Sequence, residues 1–320
     1  MKPFKTLDEQ LDLLESRGLI INNRDKATSY LLEHSYYNVI NVYSKFFQNE
    51  KNKFINGASF EEIRRVHIFD SELKSILFKY IIESEKHFKS SIAYRFGEKF
   101  KDIPYAYLQT SCYSDKNLIS LATTISILSK VLKENINSNQ PNSIKHYHSN
   151  HNNVPIWVLI NELTFGETLY LYINLDEKLK NRIAQDMNRF LSDCIGKPTV
   201  LESHALTNLL FNLKDIRNCV AHNNVLFGMK CRNNVKYFPE IHDPYCIKKQ
   251  QPRQDLFNMI IMMRCFLTNN QFSIMHNTIL SRTKTLQGSL QTIEINKIIN
   301  TLGFPNNWCN TAKKLDQNKI

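Results

Sequence analysis

Residues 206–224 read LTNLLFNLKDIRNCVAHNN, and the reading of this stretch decides the fold. Leu206, Leu209, Leu210, Leu213, Ile216 and Val220 recur at spacings of three and four, the pattern of an α-helix with one apolar stripe. Such a stripe must be covered, so the chain around it is expected to supply helices that pack on it. Asn218 and His222 are one helical turn apart and share the face opposite the stripe, with Asp215 beside them. Arg217 falls at the edge of the stripe. At ~100° per residue, the step from Arg217 to His222 leaves the two side chains on different sides of an ideal helix. The long guanidinium reaches round, the helix distorts, or the two residues meet partners from a second subunit. We favour the third.

The composition agrees with a helical chain. The 320 residues include 19 Phe and 14 Tyr but only 8 Gly and 9 Pro, which favours helices over a turn-rich β fold. No run of about 18 uncharged apolar residues occurs, so no transmembrane helix is expected. The start, MKPFKTLDEQLDLL, has acidic residues among its apolar ones and no signal-peptide core. Seven cysteines without a CxxC pair point to reduced thiols in a cytoplasmic protein and argue against a disulfide framework or a zinc knuckle.

Working outward, the punctuation of the chain marks further helices. Thr6 to Glu9 and Ser59 to Glu62 have capping-box form. The first opens a helix with Leu7, Leu11 and Leu14 inward and Gly18 as its stop. A second helix runs from about Asp25, with Leu31, Leu32, Tyr36 and Val39 as its buried face. The second box opens a helical stretch reaching about Phe100, expected to break near Phe69-Asp70-Ser71. Arg64-Arg65 and Lys86 to Lys89 read as solvated helix faces. Ser114 to Leu132 is another helix. Asn135 to Asn153 is the most polar stretch and reads as a loop. Its His146, His148 and His151 have no Cys or carboxylate among them, so a metal site is not expected. Trp157 opens the next helix as a core anchor, and Gly196-Lys197-Pro198 ends the amphipathic run from Leu179 to Ile195. After Asn224, Val225 to Cys231 and Val235 to Phe238 flank Arg232-Asn233-Asn234 as a short β-hairpin. Gln254 to Phe272 reads as a buried helix or a subunit contact. The expected organisation is a helical unit over residues 1–134, a polar loop over 135–153, a second helical unit over 154–315 and a frayed tail over 316–320.

The net charge of +11 is unevenly placed. From residue 201 onward there are 15 Lys+Arg against 7 Asp+Glu, whereas the first 200 residues carry 26 against 23. A polyanion drawn to this region arrives beside Arg217 and His222. Lys214, Lys230, Arg232 and Lys236 are the candidate RNA contacts. RNA carries its own nucleophile, the ribose 2′-hydroxyl, so cleavage requires only proton transfer and stabilisation of an anionic phosphorane. Histidine titrates near neutrality and can move the proton, arginine offers a fork matched to phosphate, and Asn218 can orient either partner. Neither a metal nor another cofactor is required.

RNCVAHNN at 217–224, preceded by LESHALTNLLFNLKDI, resembles the Arg-x4-His motif of HEPN-domain ribonucleases. The chain is similar in particular to the Abi-like (Abi_2) abortive-infection proteins. That resemblance extends through LDLLESRGLIINNRDKATSYLLEHSYYNVINVY at 11–43, VPIWVLINELTFGETLYLYINL at 154–175 and INTLGFPNNWCN at 299–310. It implies an all-α fold, with a helical N-terminal unit packed on a C-terminal HEPN-like bundle. It also implies a homodimer that joins two motifs in one cleft. In such a cleft His222 is the acid–base, Arg217 stabilises the phosphorane, Asn218 holds the geometry, and the product is a 2′,3′-cyclic phosphate. The implied role is an endoribonuclease of abortive infection or of a toxin–antitoxin pair in phage defence, restrained by a small structured RNA. The chain departs from the family pattern at Asn223 and Val225, where the family carries His and Arg. The alternatives are a catalytically silent HEPN-type RNA-binding protein and a purely structural helical protein.

Overall fold

Both capping boxes open helices in the computed structural model, which describes residues 4–50, 52–114 and 117–316. Thr6 accepts from the Glu9 amide while the Glu9 carboxylate accepts from the Thr6 amide at 2.7 Å, starting α1 (Leu7–Ser16). Gly18 ends that helix at φ +91°, a left-handed conformation that costs glycine little. Next come α2 (Arg24–His34) and α3 (Tyr36–Tyr43), followed by an antiparallel hairpin of β1 (Gln48–Glu50) and β2 (Lys53–Phe54). The second box, between Ser59 and Glu62, starts α4 (Phe60–Lys99), a helix of 40 residues. At 1.5 Å per residue it is a rod of about 60 Å.

Helix α4 is the spine, and it does not break at Phe69-Asp70-Ser71 as its sequence leads one to expect. Asp70 is turned into the protein with no exposed surface. Its carboxylate accepts from Lys74 at 2.7 Å, from the Tyr43 hydroxyl at 2.8 Å and from the Leu226 amide at 3.2 Å. The acid that looks like a helix breaker is instead the hub of a buried network, so the helix continues through it.

The chain continues as α5 (Leu118–Ile136), α6 (Ser143–His151), α7 (Ile156–Leu159), α8 (Phe165–Ile173), α9 (Glu177–Ile195) and α10 (Ser203–Ala221). It ends with α11 (Pro239–His242), α12 (Leu256–Met262), α13 (Asn269–Ser289), α14 (Asn296–Ile299) and α15 (Trp308–Thr311). Helices from both ends of the chain, α3, α7, α9, α10 and α13 among them, pack on α4. Their buried side chains merge into one core. The fold is all-α, as the composition implies, with one short hairpin among the described residues.

Several local expectations are corrected. The hairpin lies at 48–54, not after the motif. Residues 230–235 pair instead with 253–255: Lys230 bridges Asp255, the Cys231 amide donates to Gln254 at 2.7 Å, and the Arg253 guanidinium donates to the Val235 carbonyl at 3.0 Å. The polar stretch 135–153 is not all loop. Asn142 caps α6 by accepting from the Lys145 amide at 2.8 Å, and buried Ile144 anchors it. Leu32 is 75% exposed and Trp157 55% exposed. The edge of the Trp157 ring lies against α4 at Gly97, where a Cβ would come within 3.3–3.4 Å of it, so it covers the spine from outside and anchors no core. Gln254 to Phe272 does contain a buried helix, α12. No helix among the described residues is long and apolar enough to cross a membrane. Of the tail expected to fray, residues 317–320 lie outside the described residues.

Candidate active site on helix α10

Helix α10 buries Leu206, Leu209, Leu210, Leu213, Ile216 and Val220, the stripe its spacing defines. Its end is a Schellman motif. The Asn223 amide donates to the Val220 carbonyl at 3.1 Å and the Asn224 amide to the Cys219 carbonyl at 2.8 Å. His222 is the C-cap, and Asn223 adopts φ +54°. Asparagine tolerates that left-handed conformation better than most residues with a Cβ. The departure from the family's second histidine therefore falls where the backbone favours Asn.

The three candidate catalytic side chains lie at this end. Arg217 and Asn218 are half-buried and His222 is exposed. None of the three side chains makes a hydrogen bond or ion pair among the described residues. The fold therefore offers a guanidinium, an amide and an imidazole with their donors and acceptors open. It does not link Arg217 to His222 within one chain.

The candidate RNA contacts divide into two groups. Lys214 sits one turn before Arg217, with its ammonium 5.7 Å from the centre of the Tyr170 ring and beside Gly166 on α8. Lys230 is exposed. Both lack an ion pair among the described residues. Arg232 is committed to Asp215, which accepts two guanidinium donors at 2.9 and 2.5 Å, and it lies over the Phe211 ring. Lys236 pairs with Glu202 at 3.3 Å. Positive charge available to a polyanion along α10 is thus concentrated on Lys214, Arg217 and Lys230.

Two residues at this end escaped the sequence reading. Lys74 reaches from α4 to the cap of α10, with its Nζ 3.0 Å from Asn223 Oδ1 and 3.4 Å from the Asn223 carbonyl. Asp70 holds Lys74 in place and accepts from the Leu226 amide just beyond the cap. The partners are 149 residues apart, and no spacing rule within a helix can find them. Cys219, on the same turn, has its thiol pushed up by burial and by the nearby Asp70 carboxylate, so it stays protonated at neutral pH.

Two open clefts lie elsewhere, one of about 1080 Å³ beside Phe190 and Asn269 and one of about 770 Å³ between Asn23 and Arg64. No motif residue lines either. The described residues hold no group of three His, Cys, Asp or Glu placed to bind a metal ion. The histidines of α6 bond instead to Tyr105 (His148, 2.9 Å) and Asn150 (His146, 3.0 Å).

The profile of the family described as Abi-like protein, Abi_2, matches residues 29–228, more than half of the chain. The match takes in the α4 spine, the Asp70–Lys74 network and all of α10, and ends just before Lys230. No curated protein and no solved structure matches the chain.

Proposed function

The chain belongs to the Abi-like family, and from that premise we propose that it is a metal-independent endoribonuclease of an abortive-infection or toxin–antitoxin system. Membership of the family supports the phage-defence role. The observation that carries the chemistry is the state of the α10 terminus: the Arg217, Asn218 and His222 side chains stand without partners among the described residues, at the end of a helix packed along its apolar stripe. Polar groups left open on a well-ordered element are ready for an external partner, and a phosphodiester satisfies all three. The domain reading that accompanies this proposal takes residues 154–315 as a HEPN-like unit.

In this reading His222 removes the proton from the ribose 2′-hydroxyl or returns one to the leaving 5′-oxygen. Arg217 neutralises the charge that builds on the phosphorane, an effect largest where water is excluded. Asn218 fixes the approach of the phosphate. Because no hydrogen bond or ion pair links Arg217 to His222 among the described residues, and five residues at ~100° each set them on different sides of an ideal helix, the complete set is assembled when two copies meet and each lends part of the site. The reaction yields a 2′,3′-cyclic phosphate and a 5′-hydroxyl. Lys214 and Lys230 hold flanking phosphates, and Arg232 and Lys236 join them where RNA displaces their carboxylate partners. A small structured RNA bound along the same cations would restrain the site until it is released.

The test uses the purified chain, a labelled RNA mixture and excess chelator. Wild type is expected to cut RNA to ends that resist ligation until the cyclic phosphate is removed to leave a 3′-hydroxyl and the 5′-hydroxyl is phosphorylated. Arg217→Ala and His222→Ala are each expected to lower cleavage by about a hundredfold or more, the scale of an acid–base or oxyanion contribution, and to relieve growth inhibition. Wild-type cleavage by either variant removes the mechanism. Unchanged RNA binding and toxicity in His222→Ala would favour a binding protein without catalysis.

A further inference from the structure

Among the described residues the His222 side chain has no partner of its own, so the direction of its imidazole depends on the backbone at 222–223. That backbone is fixed from another helix. We propose that Lys74 is a positioning residue for His222, acting through Asn223; the proposal rests on the reading of α10 as the reacting surface.

The Lys74 side chain is 9% exposed and contacts Asp70 at 2.7 Å and the two Asn223 oxygens at 3.0 and 3.4 Å. An ammonium has three protons to donate, and three acceptors surround this one. Asp70 in turn is fixed by the Tyr43 hydroxyl and the Leu226 amide. The pair therefore holds the chain at two points beyond the helix, at Asn223 and at Leu226.

The location of the pair argues for geometry over stability. A buried ion pair rarely stabilises a fold more than well-packed apolar residues of the same volume. Its benefit is directional: a cation just beyond the C-terminal end of a helix complements the macrodipole, and this one meets the Asn223 carbonyl one residue past the C-cap. Here it stands at the one helix end whose capping residue is the candidate acid–base. Asn223 takes the left-handed conformation that turns the chain out of α10, and its side-chain oxygen receives the lysine.

Two variants of the full chain separate positioning from folding. Asn223→Gly keeps a residue suited to the left-handed turn but removes the Oδ1 acceptor. The double variant Asp70→Asn with Lys74→Met removes the contact without leaving a buried charge alone. Both are expected to retain a cooperative melt. Hydrogen exchange at the amides of His222, Asn223 and Asn224 is expected to quicken by about tenfold to a hundredfold, the range for a lost hydrogen bond to a charged group. For RNA cleavage, kcat is expected to fall about tenfold with KM little changed, since binding cations such as Lys214 are untouched. Cap amides as protected as in wild type, in both variants, would overturn the proposal. So would exchange quickening evenly along α4 and α10, the sign of a general loss of stability. A wild-type chain that cleaves no RNA, with cap amides that still loosen in the variants, would sink the ribonuclease reading while leaving the clamp in place.

Discussion

Replacing Glu62 with alanine tests whether the start of the spine is tied to the far end of the chain. Glu62 is 3% exposed. One carboxylate oxygen accepts from the Gln291 amide at 2.8 Å, the Thr292 amide at 2.9 Å and the Thr292 hydroxyl at 2.8 Å. The other accepts from the Ser59 amide at 3.2 Å and the Ser59 hydroxyl at 3.0 Å. Glu62→Ala strands two amides of the 290–293 turn, at about 1–3 kcal/mol each where water cannot reach them. It also removes half of a capping box, worth about 1 kcal/mol. These losses overlap, so we expect about 3–5 kcal/mol in total, a fall in Tm of roughly 4–7 °C for a chain of this size. Glu62→Gln keeps one acceptor and sets an NH2 against the other group of donors, so its loss is expected to be smaller.

Acid supplies a second arm of the same test. Burial opposes ionisation of Glu62, but the hydrogen bonds from Gln291, Thr292 and Ser59 outweigh it and hold the carboxyl below the usual range. A carboxyl whose folded value lies below its unfolded value stabilises the fold above the unfolded value and loses that contribution as pH falls through the folded one. The gap between wild type and Glu62→Gln should therefore be full at pH 7 and should narrow at pH values below the ordinary glutamate range. Thermal and urea unfolding followed by far-UV circular dichroism reads both arms. A Glu62→Ala protein within about 1 kcal/mol of wild type would refute the reasoning, because that is no more than a surface substitution costs.

Gly303 lies at φ +87°, and a Cβ there would collide with the Asp255 carboxylate that caps α12; Gly303→Ala is expected to lose about 2–4 kcal/mol from strain and displacement together, and a melt like wild type's would show that the turn has slack. His67 is held down to about 4, first by burial and then by His34 and Lys74, with the Tyr30 hydroxyl 2.6 Å from its Nδ1. Because the folded value lies below the unfolded 6.5, the unfolded chain takes up the proton first and stability falls as pH drops from about 6.5 toward 4. The ring is half-open to solvent, which screens the penalty, so about 1–2 kcal/mol should vanish over that window in wild type but not in His67→Gln; equal slopes in the two urea titrations would exclude His67 as the source.

What the sequence conveys here is local. The apolar residues of α10 identify themselves at spacings of three and four, and the Thr6–Glu9 and Ser59–Glu62 boxes announce their helices because each cap and its partner lie within one turn. What it withholds depends on distant partners. Asp70 reads as a break in α4 because Lys74, one turn on, accounts for only part of it, while the Tyr43 hydroxyl and the Leu226 amide that complete its shell lie 27 residues back and 156 residues on. Lys74 reads as one more helical lysine until Asn223 is placed beside it. The basic residues after the motif read as a free ribbon, yet Arg232 and Lys236 have carboxylates waiting on α10 and at its start. Trp157 shows the opposite error: a large ring among apolar neighbours reads as core, and only the glycine on the facing helix reveals that it covers the surface.

The ties that close over α4 set a timetable for synthesis. One Glu62 oxygen waits for an amide 229 positions later, so at 5–20 residues per second the ribosome leaves that oxygen unmatched for roughly 10–50 s. Lys74 likewise waits 149 residues for its asparagine. A nascent chain therefore carries an unfinished spine until the 290–293 turn has emerged, and the terminus of α10 takes its final form only when that spine is there to receive it.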